Sequence, residues 1–134
     1  MAEFKSEQKT INRSAADIYN FLSDFTNFEH LMPEQITNWQ ATENNCSFTI
    51  QGMADVAMRM EEKIPDKKVY VVSEGKVPFE FNMTFKLDEE KDNSTKVNLM
   101  INASINPMMV MMLKRPLSNL VNIMVDKLKE HMEG

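Results

Sequence analysis

The stretch KVNLMINASINPMMVMMLKRPLSNLVNIMVDKL, Lys96–Leu128, decides the fold, because its hydrophobic period changes part-way along. Val97, Leu99, Ile101, Ala103 and Ile105 alternate with Lys96, Asn98, Asn102 and Ser104. That pattern is a strand with one buried and one wet face. Further on, Leu113, Leu117, Leu120, Val121, Met124, Val125 and Leu128 recur at three-to-four spacing, opposite Asn119, Asn122, Asp126, Lys127 and Lys129. They form the apolar stripe of a long helix. Pro116 falls inside it, removes a backbone donor and clashes one turn back, which predicts a kink or a fresh start.

Working outward, the period of two continues upstream. Phe79, Phe81, Met83, Phe85 and Leu87 oppose Glu80, Asn82, Thr84 and Lys86, and Ala54, Val56, Met58, Met60, Glu62 and Ile64 oppose Asp55, Arg59, Glu61 and Lys63. Turn residues separate the runs at Glu43-Asn44-Asn45, Gln51-Gly52, Pro65-Asp66, Glu74-Gly75 and Asp92-Asn93-Ser94. Connections this short join antiparallel neighbours, so about six strands form a meander. Before them, Glu3–Ile11 reads as a first strand with weak alternation. Ser14-Ala15-Ala16-Asp17 is a capping-box-like start for a helix carrying Ile18, Tyr19 and Leu22 to about Ser23. A second short helix starts at Thr26–Glu29 and stops by Met32, because Pro33 disfavours helix in the residue before it. The order is strand, two short helices, six strands, long helix, and residues 1–134 read as one α+β domain.

Composition narrows the function. Of only 3 glycines, Gly134 ends the sequence, so no loop can cradle phosphates. Cys46 alone makes no intrachain disulfide, and with His30 and His131 it makes no structural zinc site of the usual ligand count, so no metal and no cofactor are expected. A net charge of −5 argues against nucleic acid as a partner. No apolar run has the length of a membrane span, and MAEFKSEQKT has no hydrophobic signal region, so the expectation is a cytoplasmic protein with no integral membrane segment. Lys114-Arg115, Lys127 and Lys129 are too dispersed for a membrane-binding patch.

The strand-to-helix passage Ile11-Asn12-Arg13-Ser14-Ala15, the following Ile18-Tyr19-Asn20-Phe21-Leu22-Ser23-Asp24, and Phe28 through Pro33 resemble the START-like, or SRPBCC, superfamily. That superfamily takes in polyketide cyclase/dehydrase, lipid-transport and pollen-allergen-like proteins. The resemblance covers essentially the whole chain. It implies a helix-grip fold, a curved antiparallel sheet of about seven strands around a long C-terminal helix. It also implies a cavity between the two that takes a small apolar molecule such as a lipid, quinone or polyketide-like compound.

On this reading the lining comprises Val56, Met58, Met60, Phe79, Phe81, Met83, Phe85, Leu99, Ile101 and Leu117, with Met108, Met109, Met112 and Leu113 as a flap. The bland alternative is that the same inward rows are simple core. Residues 108 to 112 point nearly all round a helix, so some of these methionines must lie at a surface or mouth. A homodimer or protein partner through Met108–Met112 is the corresponding interaction-module alternative. The enzyme alternative, a cyclase or dehydratase on an aromatic polyketide-like substrate, needs polar groups converging in the cavity, and Glu62, Tyr70 and His30 are the only nominees. Glu62 earns its place by parity with Met58 and Met60, since a buried carboxyl titrates high. The sequence favours a binder over an enzyme. The acidic run Asp88–Asp92 reads as a solvated hairpin loop.

Overall fold

The structure, a computed structural model, describes residues 2–134. The strands are β1 (Ala2–Lys5), β2 (Lys9–Ile11), β3 (Ile36–Ala41), β4 (Asn45–Ile50), β5 (Ala54–Ile64), β6 (Lys68–Glu74), β7 (Phe81–Lys91) and β8 (Ser94–Ala103). Between β2 and β3 lie helix α1 (Ala15–Leu22) and a 3-10 helix (Phe25–Leu31), and α2 (Pro107–Glu133) follows β8. All pairings are antiparallel, in the order β1-β8-β7-β6-β5-β4-β3, with β2 also on β8. This is the helix-grip α+β fold.

Local chemistry sets the boundaries. Ser14 accepts a bond from the Asp17 N–H at 3.1 Å and so starts α1. Asp24 does the same for the next helix, accepting from the Thr26 N–H at 2.9 Å, and that helix is 3-10 rather than α. Asn106 caps α2 through the Met109 N–H at 2.8 Å, with Pro107 in the first turn, where its missing donor costs nothing. The chain therefore stays helical through Pro116 and makes no fresh start there.

Three expectations need correction. The single first strand is two, because Ser6 steps out of the ladder while its N–H donates to Leu99 O at 2.8 Å and its hydroxyl accepts from Leu99 N at 2.9 Å. Among the described residues the sheet accordingly counts eight strands, in keeping with the seven or so expected. Phe79 and Ile105 lie beyond the strands assigned to them, since β7 begins at Phe81 and β8 ends at Ala103. The acidic run is mostly strand, not loop: β7 continues to Lys91 and the turn is Asp92-Asn93, with Asn93 at φ 60°. Within that run Glu89 accepts from the Ala15 N–H at 2.5 Å, satisfying a free donor of α1. Glu90 pairs with Lys96 at 2.8 Å.

The core has two regions. Towards the α1 end, Phe25 and Phe28 meet edge to face at 4.9 Å, and Phe28 meets Phe85 at 5.7 Å, all fully buried among Ile18, Leu22 and Leu31. Helix α2 closes over the same sheet face unevenly. Its buried residues, Val121, Met124, Val125, Leu128 and Met132, all follow Pro116. That half is also tied polar group by polar group. Arg13 Nη1 donates to Met132 O at 2.6 Å, Lys129 Nζ to Thr10 O at 2.6 Å and Lys127 Nζ to Met32 O at 3.1 Å. The half before Pro116 has no fully buried side chain. No described helix is long and apolar enough to cross a membrane.

Candidate functional site

Where α2 leaves the aromatic core, side chains no longer fill the space beneath it. A cavity of about 60 Å³ remains, walled by Phe48 and Ile50 of β4, Val56 and Met58 of β5, Phe81 and Met83 of β7, Ile101 of β8, and Leu117, Leu120 and Met124 of α2. Met32, Ile36, Pro78 and Phe79 complete the wall, and every lining side chain is apolar. A space of this kind stays dry, because a water inside it would find no hydrogen-bond partner. Beside it a groove of about 300 Å³ runs between Leu113, Pro116, Asn119 and Ile123 of α2 and Pro33, Gln35, Gln51 and Met53 opposite. Cavity and groove share Ile36, Ile50, Phe79, Leu117 and Leu120, so the two spaces adjoin along these five side chains.

The loop between β6 and β7 positions one side of this boundary. Gly75 turns it at φ 69°, a region where side chains are strained, and Pro78-Phe79 then drop onto the cavity. The Phe79 ring meets Phe81 at 6.1 Å. Gly52, at φ 79°, turns the β4–β5 connection that carries Met53 to the groove.

Of the residues nominated from sequence, Val56, Met58, Phe79, Phe81, Met83, Ile101 and Leu117 border the cavity, and Leu113 borders the groove. Phe85 and Leu99 point the same way but lie fully buried outside the cavity wall, Phe85 against Phe28. Met60 is half-buried on β5 and also off the wall. Met109 is half-buried, whereas Met108 and Met112 are 72% and 70% exposed and border neither space. Sequence reasoning did not nominate Met32, Ile36, Phe48, Ile50, Leu120 or Met124. Leu120 and Met124 were visible in the helical stripe, but β3 and β4 are too short for their inward rows to stand out.

The polar nominees do not meet. A bulge between Met60 and Glu62 inserts one residue into β5 and reverses its parity, so Glu62 is exposed and pairs with Lys68 at 2.8 Å. Tyr70 is its cross-strand neighbour, 5.7 Å from the Lys68 ammonium. His30 instead stacks on His131 of α2 at 4.8 Å, beside Phe21. None of the three borders the cavity. Among the described residues no group of three or more His, Cys, Asp or Glu is placed to hold a metal ion. Cys46, on β4 and 6% exposed, has its thiol pushed up from 9.0 to about 12, chiefly by burial. It is a packing residue rather than a nucleophile.

No protein-family model matches the chain, and no curated protein matches it in sequence. Solved structures do match. A START superfamily protein from Mycobacterium smegmatis superposes with a TM-score of 0.74 at 13% identity, over 98% of this chain and 97% of that one. The fold is that of the START-like superfamily. Norcoclaurine synthase from Thalictrum flavum, solved with a transition-state analogue, gives a TM-score of 0.73 at 11% identity, covering 98% of this chain and 96% of its own. The di-domain ARO/CYC protein BexL of the BE-7585A biosynthetic pathway gives 0.74 at 14% identity, over 97% of this chain and 46% of BexL. At such identities the likeness speaks for the START-like fold alone.

Proposed function

We propose that this chain binds a small apolar molecule, of lipid, quinone or polyketide-like character, in the cavity under α2, with the groove as its mouth. One observation carries the reading: a wholly apolar cavity adjoins a groove and shares five lining side chains with it. The cavity alone is far below the ~300–1,000 Å³ of ordinary ligand sites. A guest therefore displaces the shared Phe79 and Leu117 side chains and occupies both spaces. Burial of apolar area, at about 25 cal/mol per Å² before association costs, supplies the affinity. Met58, Met83 and Met124 bring flexible thioethers that reshape around it. The wall offers no acid or base, so a cyclase or dehydratase reaction has no catalytic group inside it. Cys46, a free thiol, fits a reducing cytoplasm.

The test uses the methionines. With methyl-labelled Met, titration with a medium-chain alcohol, a short-chain quinone and a polycyclic phenol should shift the Met32, Met58, Met83 and Met124 methyl signals and leave Met111 unmoved. Silence of all four signals with every compound at saturation refutes the proposal.

A second reading concerns the other side of α2. Met108, Met111 and Met112 are 72%, 84% and 70% exposed, and adaptable apolar side chains in such density suit an interface with a second copy. Light scattering should then show a dimer that the double variant Met108→Ser/Met112→Ser dissociates without changing ligand uptake. A wild-type monomer at high concentration removes this reading.

A further inference from the structure

The mouth differs chemically from the cavity behind it. Gln35, Gln51 and Asn119 sit on the groove wall as exposed side chains, and their amides make no hydrogen bond to another described residue. Gln35 and Gln51 are held together through their backbones, the Gln51 N–H donating to Gln35 O at 2.9 Å, while Asn119 faces them from α2. Among the described residues no Asp, Glu, Lys, Arg or His borders either the groove or the cavity. That absence is not a matter of composition, because 26% of the chain is charged and about three of the thirteen groove residues would be charged on that basis. By contrast, the cleft on the outer face of the sheet is bordered by Lys67, Lys68, Lys86, Lys96 and Asp88.

The geometry points to a guest with an apolar tail and an uncharged polar head, an alcohol, ketone, ester or amide, whose tail fills the cavity while its head bonds Gln35, Gln51 and Asn119. This rests on the binding reading above and narrows it. A carboxamide both donates and accepts, so three of them serve a neutral head of either kind. An ionised carboxylate or ammonium entering the same groove loses hydration and finds no counter-charge, which selects against fatty acids and amines of equal tail length.

The experiment compares decan-1-ol, decanoate and decylammonium at pH 7, all below micelle formation, with toluene as a guest without a head. Trp39 is the only Trp and its ring stacks 5.3 Å from Phe48 of the cavity wall, so its fluorescence reports occupancy. Decanol should bind at least tenfold more tightly than either ion. Decanoate should tighten as pH falls towards its own carboxyl range, since the protonated acid is neutral. The double variant Gln51→Ala/Asn119→Ala should lose about tenfold for decanol and nothing for toluene, as expected for two neutral hydrogen bonds removed. An ion binding as tightly as decanol overturns the inference while leaving the binding reading intact, as does equal loss of decanol and toluene. If no compound moves the fluorescence or the melting temperature, both fall together.

Discussion

Filling the cavity should make the protein more stable and less able to bind. Val56 is 4% exposed and its side chain borders the cavity from β5. A void of about 60 Å³ costs about 1.4 kcal/mol at about 24 cal/mol per Å³. Val56→Ile adds one methylene, roughly the ~30 Å³ share of a water molecule in liquid. The void accommodates that group without displacing its neighbours. Burying it contributes about 0.8 kcal/mol, and both residues suit a strand equally. The expected gain is therefore about 0.8 kcal/mol, some 3 °C in melting temperature for a chain between the size classes on which that conversion rests. Urea denaturation with an unchanged m-value measures it. The same methylene occupies space a guest needs, so affinity for toluene or decanol should fall about tenfold. Stability and binding must move in opposite directions. A loss of 1–3 kcal/mol would be the signature of overpacking and would refute the claim that the space is empty. Unchanged binding in a stabilised variant would show that the guest lies elsewhere.

Phe28→Ala removes the ring that links Phe25 to Phe85 and should cost about 3–5 kcal/mol, a large part of a domain's ~5–15 kcal/mol, read as a drop in urea midpoint. Cys46 makes stability fall in alkali. Its folded-state thiol, at about 12 against 9.0, keeps its proton while the unfolded chain loses it, so between pH 9.0 and 12 stability falls by up to about 1.4 kcal/mol per pH unit. Cys46→Ala should lack this slope, and parallel profiles for the two proteins across that window would contradict the burial of the thiol.

Much of the fold is legible because long amphipathic runs repeat one period: β7, β8 and α2 each state their own geometry. The failures are local. Nothing in the composition of Met60-Glu61-Glu62 marks the bulge that turns Glu62 outward, since the ladder pays for it only through pairing with β6. Ser6 is as hydrophilic as its neighbours, and its exit from the first strand appears only when Leu99 answers it from across the sheet. The candidate site was half legible for a related reason. Alternation tells which residues face inward, as it did for Met83 and Phe85, but not whether another side chain meets them. Phe85 finds Phe28, while Met83 finds a gap, and that difference is set by the tertiary arrangement.

The uneven fastening of α2 separates two quantities that are often conflated, the durability of the protein and the residence time of a guest. The buried stripe and the bonds to Thr10, Met32 and Met132 all belong to the half beyond Pro116. Pro116 lacks the N–H that would otherwise bond to the Met112 carbonyl, so the two halves are coupled by one backbone bond fewer. Lifting the first segment frees Leu113 from the edge of the groove without exposing Val121, Met124 or Leu128, and so draws on a local opening free energy well below that of global unfolding. Substitutions at Val121, Val125 and Leu128 then set how long the molecule lasts, and on the proposed binding reading a substitution at Leu113 sets how fast a guest exchanges.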